Sequence, residues 1–111
     1  MKALWNGYVL AESEDIEEVE GNYYFPLDSI NRRYFVESSA HTLCPLKGKA
    51  FYYHILVNGE MNEDAACYYP NPRNTSPRLK NRIAFRKGVE MKESSSSAIN
   101  FDLLKVLNTF F

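Results

Sequence analysis

The chain has 111 residues, an ordinary length for one domain and a short one for two. Hydrophobic residues make up 45% of it and charged residues 24%, so the chain can bury a core and is not expected to be wholly disordered. The net charge of -1 gives no overall field that would attract nucleic acid or an anionic membrane. We therefore expect one folded domain, with no nucleic-acid partner.

The sequence has no segment of the kind that enters or crosses a membrane. No stretch reaches the roughly 18 apolar residues of a spanning helix, and residues 1–7 lack the long apolar run of a signal peptide. The two cysteines, Cys44 and Cys67, form no CxxC pair, which argues against a zinc knuckle. We therefore expect a cytoplasmic protein with free thiols and no membrane partner.

Charged residues are distributed unevenly along the chain. Seven of the 14 acidic residues lie in 12–28, and seven of the 13 basic residues lie in 73–92. The simpler interpretation is that these two solvated segments pair with each other across the fold, and the alternative is one basic face. Basic residues of the second segment (Arg73, Arg78, Lys80 and Arg82) could contact nucleic acid, but their loop lacks interleaved stacking aromatic residues.

Aromatic and β-branched stretches predict a mainly β domain. The predicted strands, in chain order, are 4–11 with a turn or bulge at Asn6-Gly7, 23–25, 34–36, 49–57, 65–69 and 82–85. The acidic segment 16–19 suits a helical turn or an exposed edge strand. We expect a short helical turn at 28–33, a loop at 38–40, and a continuation of the last strand through 88–91 after a kink.

The strongest local signal is a hairpin centred on Asn58-Gly59. Both residue types favour the positive φ angles of a two-residue type I′ turn, and a β-rich run precedes them. The interval 60–64 before the returning strand leaves the register open and allows a bulge.

Four tyrosines lie in the two strands of this hairpin. Alternation places Tyr52 and Tyr53 on opposite faces of the sheet, and it does the same for Tyr68 and Tyr69. One member of each pair then faces the core. The other could form an aromatic wall for a ligand or pack across the strands.

The end of the chain differs in composition from the rest. The serine run at 94–97 predicts the end of the domain, so we divide the chain into a β domain at 1–93 and a tail at 94–111. Asn100 could cap a helix that carries an apolar stripe. Such a stripe could dock on a partner or be an extension without a role.

Reactive groups are concentrated between His41 and Gly48. Within eight residues the chain carries an imidazole, a hydroxyl (Thr42), a thiol (Cys44) and an ammonium group (Lys47). A lysine three residues from a cysteine can activate the thiol if the side chains converge. Lys47 and the following backbone amides could also meet an anion, although the glycine spacing of a Walker loop is absent. Alternatively, Cys44 is a small buried apolar residue and Lys47 is solvated.

The same residues allow two other hypotheses. Cys44 could form a catalytic pair with His41 or His54. Together with Cys67 these residues also supply the ligand types for zinc, but none of the usual zinc-site spacings is present. We predict no metal site and identify no cofactor.

A series of motifs in a fixed order resembles a known family. The motifs are Trp5-Asn6-Gly7, Gly21 to Pro26, Thr42 to Gly48, Asp64-Ala65-Ala66, Tyr68-Tyr69-Pro70 and Ile83-Ala84-Phe85. Together they resemble the domain of unknown function 427 family, also labelled nucleotidyltransferase-like, over residues 3–93. The resemblance implies a small single-domain sheet architecture of the β-tent, or Mss4-like, kind. The family usually has Trp where Cys67 stands and an aromatic residue where Arg86 stands, which implies a changed pocket or a repacked core.

We therefore expect the domain to bind a small anionic molecule near the Cys-Pro-x-Lys-Gly segment. The candidate catalytic residues are Cys44 and Lys47, and the candidate ligand contacts are Thr42, Lys47, Gly48, Tyr52, Tyr53 and Tyr69. One alternative is a nucleotidyltransferase whose metal is held by carboxylates such as Asp28 and Asp64. Another is a non-catalytic protein-interaction module that docks through the basic loop or the tail. The sequence predicts no particular oligomeric state.

Overall fold

The computed structural model describes residues 1–93, which form nine strands. These are β1 (Lys2–Trp5), β2 (Tyr8–Glu12), β3 (Glu17–Val19), β4 (Asn22–Pro26), β5 (Phe35–Cys44), β6 (Gly48–Val57), β7 (Glu60–Tyr68), β8 (Arg82–Phe85) and β9 (Glu90–Lys92). Three 3-10 turns (Leu27–Ser29, Arg32–Tyr34 and Pro77–Leu79) are the helical elements of this part, and none could span a membrane. The mainly β prediction and its short helical turn are confirmed. The predicted tail helix lies outside the described residues.

The strands form two antiparallel sheets. One has the order β2-β1-β9, and the other has the order β3-β4-β8-β7-β6-β5. The main core contains Ala3, Leu10 and Ala11 from the small sheet and, from the large sheet, Phe25, Ile55, Val57, Ala65, Ala66, Ile83 and Phe85. The face of the large sheet toward this core is called the inner face here. Its outer face carries a second buried cluster, with Tyr24, Ala50, Tyr52 and Ala84 on strands and Tyr69 and Leu79 from the following loop.

Two-residue turns connect three of the strand pairs. The predicted turn at Asn58-Gly59 is confirmed, because Val57 pairs with Glu60 and the φ angles of the two turn residues are 50° and 80°. Asn6-Gly7 forms a similar turn rather than a bulge, so the first predicted strand is in fact two. The third such turn has Glu20 at a φ of 54°, where Asn or Gly is usual.

The prediction of a loop at 38–40 is wrong, because β5 continues through these residues. The register with β6 shifts between Glu37 and His41, so the intervening residues form an irregularity within the strand. The Ser38 hydroxyl donates to Asp64 Oδ1 at 2.5 Å and accepts the Ala40 N–H at 3.0 Å. These two bonds satisfy polar groups of Ser38, Ala40 and Asp64 at the irregularity.

The returning strand of the hairpin is longer than predicted. β7 begins at Glu60, and its register with β6 shifts opposite His54. Asp64 has a φ of 53° at this irregularity, which is the bulge that the sequence allowed.

The expectation that 88–91 extends the last strand is wrong. Lys87 and Gly88, with φ angles of 57° and 84°, turn the chain away from β8. β9 then pairs with β1 in the other sheet, where Ala3 faces Met91. The acidic segment forms the edge strand β3, one of the two structures that the sequence allowed.

The predicted pairing of the acidic segment with the basic segment is confirmed. Arg82 Nη2 lies 2.9 Å from Asp15 Oδ1, and Arg78 Nη1 lies 3.2 Å from Glu17 Oε1. Arg82 also donates to the carbonyl oxygens of Asp15 and Tyr24, so its guanidinium fixes the acidic segment to β4.

Candidate functional site

A row of side chains crosses the outer face of the large sheet. Tyr24 pairs with Ala84, Ala84 with Cys67, and Cys67 with Tyr52, so the row spans β4, β8, β7 and β6. Alternation along each strand brings these residues to one face. Tyr69 packs against them after β7 ends. Three nearly buried tyrosines thus surround two small side chains.

Two further residues fix Tyr52 in this row. The hydroxyls of Thr42 and Tyr52 form a hydrogen bond of 2.8 Å. The Arg86 guanidinium carbon lies 5.1 Å from the centre of the Tyr52 ring, within the range of a cation–π contact. Arg86 Nε donates to the Asp64 carbonyl oxygen at 3.0 Å, so the bulge in β7 anchors the guanidinium over the ring.

The Cys-Pro-x-Lys-Gly segment forms the turn between β5 and β6. Its backbone is bound by the following proline-rich loop: Arg73 N donates to Lys47 O at 3.0 Å, and Thr75 Oγ1 donates to Leu46 O at 2.8 Å. Gly48 has a φ of 109°, and a Cβ atom there would lie 3.2 Å from Asn71 O. Glycine is therefore required by both the backbone conformation and the close approach of the loop.

Lys47 is held against the outer face rather than being solvated. Its side chain is 12% exposed, and its ammonium forms an ion pair with the carboxylate of Glu20. Glu20 lies at the tip of the turn between β3 and β4, and its side chain is 57% exposed. A lysine whose side chain is largely buried is thus paired with an acid from an exposed turn.

Burial determines the ionisation of this face. Burial raises the pKa of the Cys67 thiol, although the positive charges of Arg86 and Lys47 partly oppose the rise. Burial, with smaller effects from Cys67 and Tyr69, raises the pKa of Tyr24 far above its ordinary value. Burial, again followed by Cys67, raises the pKa of Tyr69 to about 12. At neutral pH the face therefore presents neutral phenols and a neutral Cys67 thiol between two cations.

The structure brings most of the predicted site residues to this face. Thr42, Tyr52 and Tyr69 belong to it, Cys44 packs against its cluster, and Lys47 covers its edge. Gly48 serves the turn through its backbone.

Tyr53 lies elsewhere. Its ring stacks on Tyr68 at 5.2 Å and meets Phe35 edge-on at 5.6 Å, both on the inner side of the sheet. Tyr53 is therefore not part of the wall that the sequence suggested.

A Cys44–His pair is not formed. His41 packs against Phe51 at 4.4 Å, on the face opposite Cys44. His54 lies six residues beyond Gly48 on β6, about 20 Å along the strand. Its Nδ1 accepts the Asp64 N–H at 3.0 Å and lies 3.5 Å from Asp64 Oδ1, so its contacts are with β7 and not with Cys44.

The metal hypotheses also lack a converging ligand set. Both cysteines are free thiols, and within residues 1–93 no three His, Cys, Asp or Glu side chains are placed to hold a metal ion. The Asp64 carboxylate, in β7, accepts a hydrogen bond from Ser38 of β5. Asp28 is far along the chain from it and lines a cavity at the end of β4.

Sequence reasoning missed Glu20 at this site, and it noted Arg86 only as a departure from the family, without connecting it to Tyr52. Each comes from a distant segment, so no local spacing connects it to Lys47 or Tyr52. The one signal for Glu20 is its place before Gly21, where Asn or Gly is usual in a two-residue turn.

Two cavities in the described part of the chain lie outside the row of tyrosines. One has a volume of about 420 Å³ and is lined by Pro26, Leu27, Asp28, Arg32, Lys80, Asn81 and Arg82. The other, of about 270 Å³, is lined by Pro70, Asn71, Pro72, Arg73, Asn74, Pro77 and Lys80. Lys80 borders both of them.

Comparison with known families agrees with the motifs of the sequence. The model of a domain of unknown function, DUF427, matches residues 1–96. The chain belongs to this family. No curated protein matches the chain. In this DUF427 domain Cys67 and Arg86, the two positions where the resemblance implied a departure from the family, interact electrostatically, since the charge of Arg86 opposes the rise in the pKa of the Cys67 thiol. Arg86 is an exposed residue whose guanidinium covers the Tyr52 ring.

Proposed function

We propose that this DUF427 domain binds a small anionic molecule at Lys47 on the outer face. One observation carries the proposal: the Lys47 side chain is only 12% exposed, its ammonium already binds a carboxylate, and that carboxylate comes from an exposed turn. A carboxylate or phosphate of a ligand could replace Glu20 at the ammonium. The exchange keeps the buried cation paired, whereas removing its partner outright would leave an uncompensated charge.

The surroundings suit such a ligand. Tyr24, Tyr52 and Tyr69 are nearly buried and form a packed apolar floor beside Lys47, and Arg86 provides a second cation that acts on Cys67. Apolar walls with a few fixed polar groups are typical of small-molecule sites. In this proposal Lys47 holds the anion, and Cys44 orients it or reacts with it. Thr42 acts through Tyr52, to which its hydroxyl is bonded.

A thermal-shift screen tests the proposal. The panel contains nucleotides, sugar phosphates, small carboxylates, Mg²⁺ and Zn²⁺, and it is applied to the wild type and to Lys47→Ala and Glu20→Gln. A ligand at about 100 times its dissociation constant adds about 2.7 kcal/mol to the free energy of unfolding. We expect the shift to disappear in Lys47→Ala and to increase in Glu20→Gln, which removes the competing carboxylate.

Lys49→Ala is the matched control. This exposed lysine is two residues away, but its ammonium lies 5.4 Å from the centre of the Phe51 ring, on the inner side. It should respond to ligand as the wild type does. A compound whose shift is lost in Lys47→Ala but kept in Lys49→Ala binds at Lys47. If no compound gives a shift, or if every shift survives in Lys47→Ala, the proposal is contradicted.

Protein interaction is the second candidate function. Leu43 and Leu46, at the end of the β5–β6 hairpin, are 70% and 61% exposed. Isolated exposed leucines are common, so this observation is the weaker of the two. Screening without any ligand response would favour it. A nucleotidyltransferase would instead give Mg²⁺-dependent stabilisation by nucleotides.

A cytoplasmic location remains our expectation, because both cysteines are free thiols.

A further inference from the structure

The larger cavity of the domain is separate from the Lys47 site. It has a volume of about 420 Å³, which lies in the range of small-molecule sites. None of the residues that line it belongs to the row of outer-face tyrosines or to the Cys-Pro-x-Lys-Gly turn.

The cavity forms where β4 ends beside the start of β8. Pro26 pairs with Arg82 in the ladder, and Leu27 N donates to Asn81 O at 2.9 Å. Beyond this bond the chain enters the two 3-10 turns, whose residues Asp28 and Arg32 reach the cavity from one side. The backbone bonds therefore fix both walls.

The three cationic side chains at this cavity differ in whether they already have hydrogen-bond or ion-pair partners. Arg82 is occupied, because it donates to Asp15 Oδ1 at 2.9 Å and to the carbonyl oxygens of Asp15 and Tyr24. Arg32 and Lys80 are exposed, and among residues 1–93 neither side chain has an ion-pair or hydrogen-bond partner. Asp28 is the one acid among the described lining residues and pairs with neither of them, so the charge of this lining is net positive.

We propose that this cavity is a second binding site, which takes a small phosphorylated polyol such as a sugar phosphate. Arg32 offers a planar fork of donors to phosphate oxygens, and Lys80 adds a point charge. Asp28 and Asn81 accept hydrogen bonds from the hydroxyls of the ligand. Pro26 and Leu27 form the apolar wall. A nucleotide does not suit the cavity, since none of the described residues that line it has an aromatic ring to stack on a base.

Isothermal titration calorimetry of the full chain at low salt tests this site, with inorganic phosphate and glucose 6-phosphate as probes. We expect Arg32→Ala and Lys80→Ala each to weaken the binding of both probes by roughly tenfold or more, the effect of losing a charged hydrogen bond. Asp28→Asn should weaken the binding of glucose 6-phosphate while leaving inorganic phosphate unchanged or bound more tightly.

Two control variants show whether the probes bind at this cavity. Arg33 is the neighbouring cation, but its guanidinium lies over the Tyr34 ring at 5.7 Å and donates to Asn31 Oδ1 at 3.3 Å, outside the cavity. Arg33→Ala should bind both probes as the wild type does. Lys47→Ala should do so as well, which distinguishes this cavity from the site of the proposed function.

Three results would overturn the inference. The first is that neither probe binds at millimolar concentration. The second is that both Arg32→Ala and Lys80→Ala bind the probes as the wild type does. The third is that Arg33→Ala loses as much affinity as they do, which would indicate a general charge effect. Because Arg32 and Lys80 are exposed, the variants should keep the wild-type Tm. If an alanine variant has a lower Tm than the wild type, the glutamine variant of the same residue, Arg32→Gln or Lys80→Gln, is measured in its place.

Discussion

Tyrosine hydroxyls are the groups whose ionisation the fold changes most clearly. Burial raises the pKa of Tyr69 to about 12, and burial together with Tyr53 raises the pKa of Tyr68 to about 12. The pKa of the more deeply buried Tyr24 is raised further. In the unfolded chain these phenols titrate near pH 10. The folded state therefore keeps protons that the unfolded state releases.

This difference predicts how stability depends on pH. A folded pKa above the unfolded one contributes stability that is fully present below about pH 10 and is lost as the pH rises through the folded pKa. We expect the free energy of unfolding, measured with urea, to fall as the pH rises from about 10 to about 12. The double variant Tyr24→Phe, Tyr69→Phe should fall less steeply. An equal slope in this variant and the wild type would contradict the assignment.

Sequence reasoning at this scale found the reactive residues and marked Arg86 as a departure from the family, but it did not pair any of them with its partner. Lys47 and Tyr52 were predicted from residue type and alternation, and both lie at the outer face. Glu20 and Arg86, which fix their electrostatic environment, come from the turn before β4 and from the end of β8. Such pairs depend on how the strands are ordered in the sheet, which residue spacing does not specify. Tyr53 shows the same limit, because alternation separates it from Tyr52 without indicating which of the two faces the core.

At the scale of elements, turn chemistry was the most reliable guide. Asn58-Gly59 predicted its hairpin because positive φ angles at two successive positions leave few alternatives. The segments 38–40 and 88–91 were mispredicted because their structure depends on long-range contacts. The Ser38 hydroxyl donates a hydrogen bond to Asp64 of β7. The chain leaves the large sheet after β8, and β9 pairs with β1 in the small sheet.

The turn between β5 and β6 allows a matched test of glycine. Gly48 has a φ of 109°, and a Cβ atom at this position would lie close to Asn71 O. Gly59 has a φ of 80°, and a Cβ atom there would have no neighbour within 4 Å. We expect Gly48→Ala to lower the free energy of unfolding by about 1–3 kcal/mol, and Gly59→Ala to cost less, since it adds strain without a clash. Urea midpoints of the two variants decide this. Equal losses would show that the proline-rich loop yields without cost.

At the scale of the whole molecule, the two sheets depend on each other through the main core and through β9. The small sheet contributes Ala3, Leu10 and Ala11 to that core, and its third strand is β9. β9 reaches it only after the chain has completed the large sheet. A boundary that keeps the domain intact must therefore lie beyond Lys92. The predicted boundary after residue 93 and the family match over 1–96 both satisfy this condition.

Truncation tests the boundary directly. We expect a chain ending at residue 96 to unfold in urea with the midpoint and slope of the full chain, because every strand of both described sheets is retained and the slope follows the surface exposed on unfolding. A chain ending at Gly88 lacks β9 and leaves the edge of β1 unpaired from Lys2 to Leu4, so its midpoint should fall. If the chain ending at residue 96 also loses stability, the tail packs on the domain and belongs to it. An unchanged midpoint would instead leave the apolar stripe of the tail available for a partner.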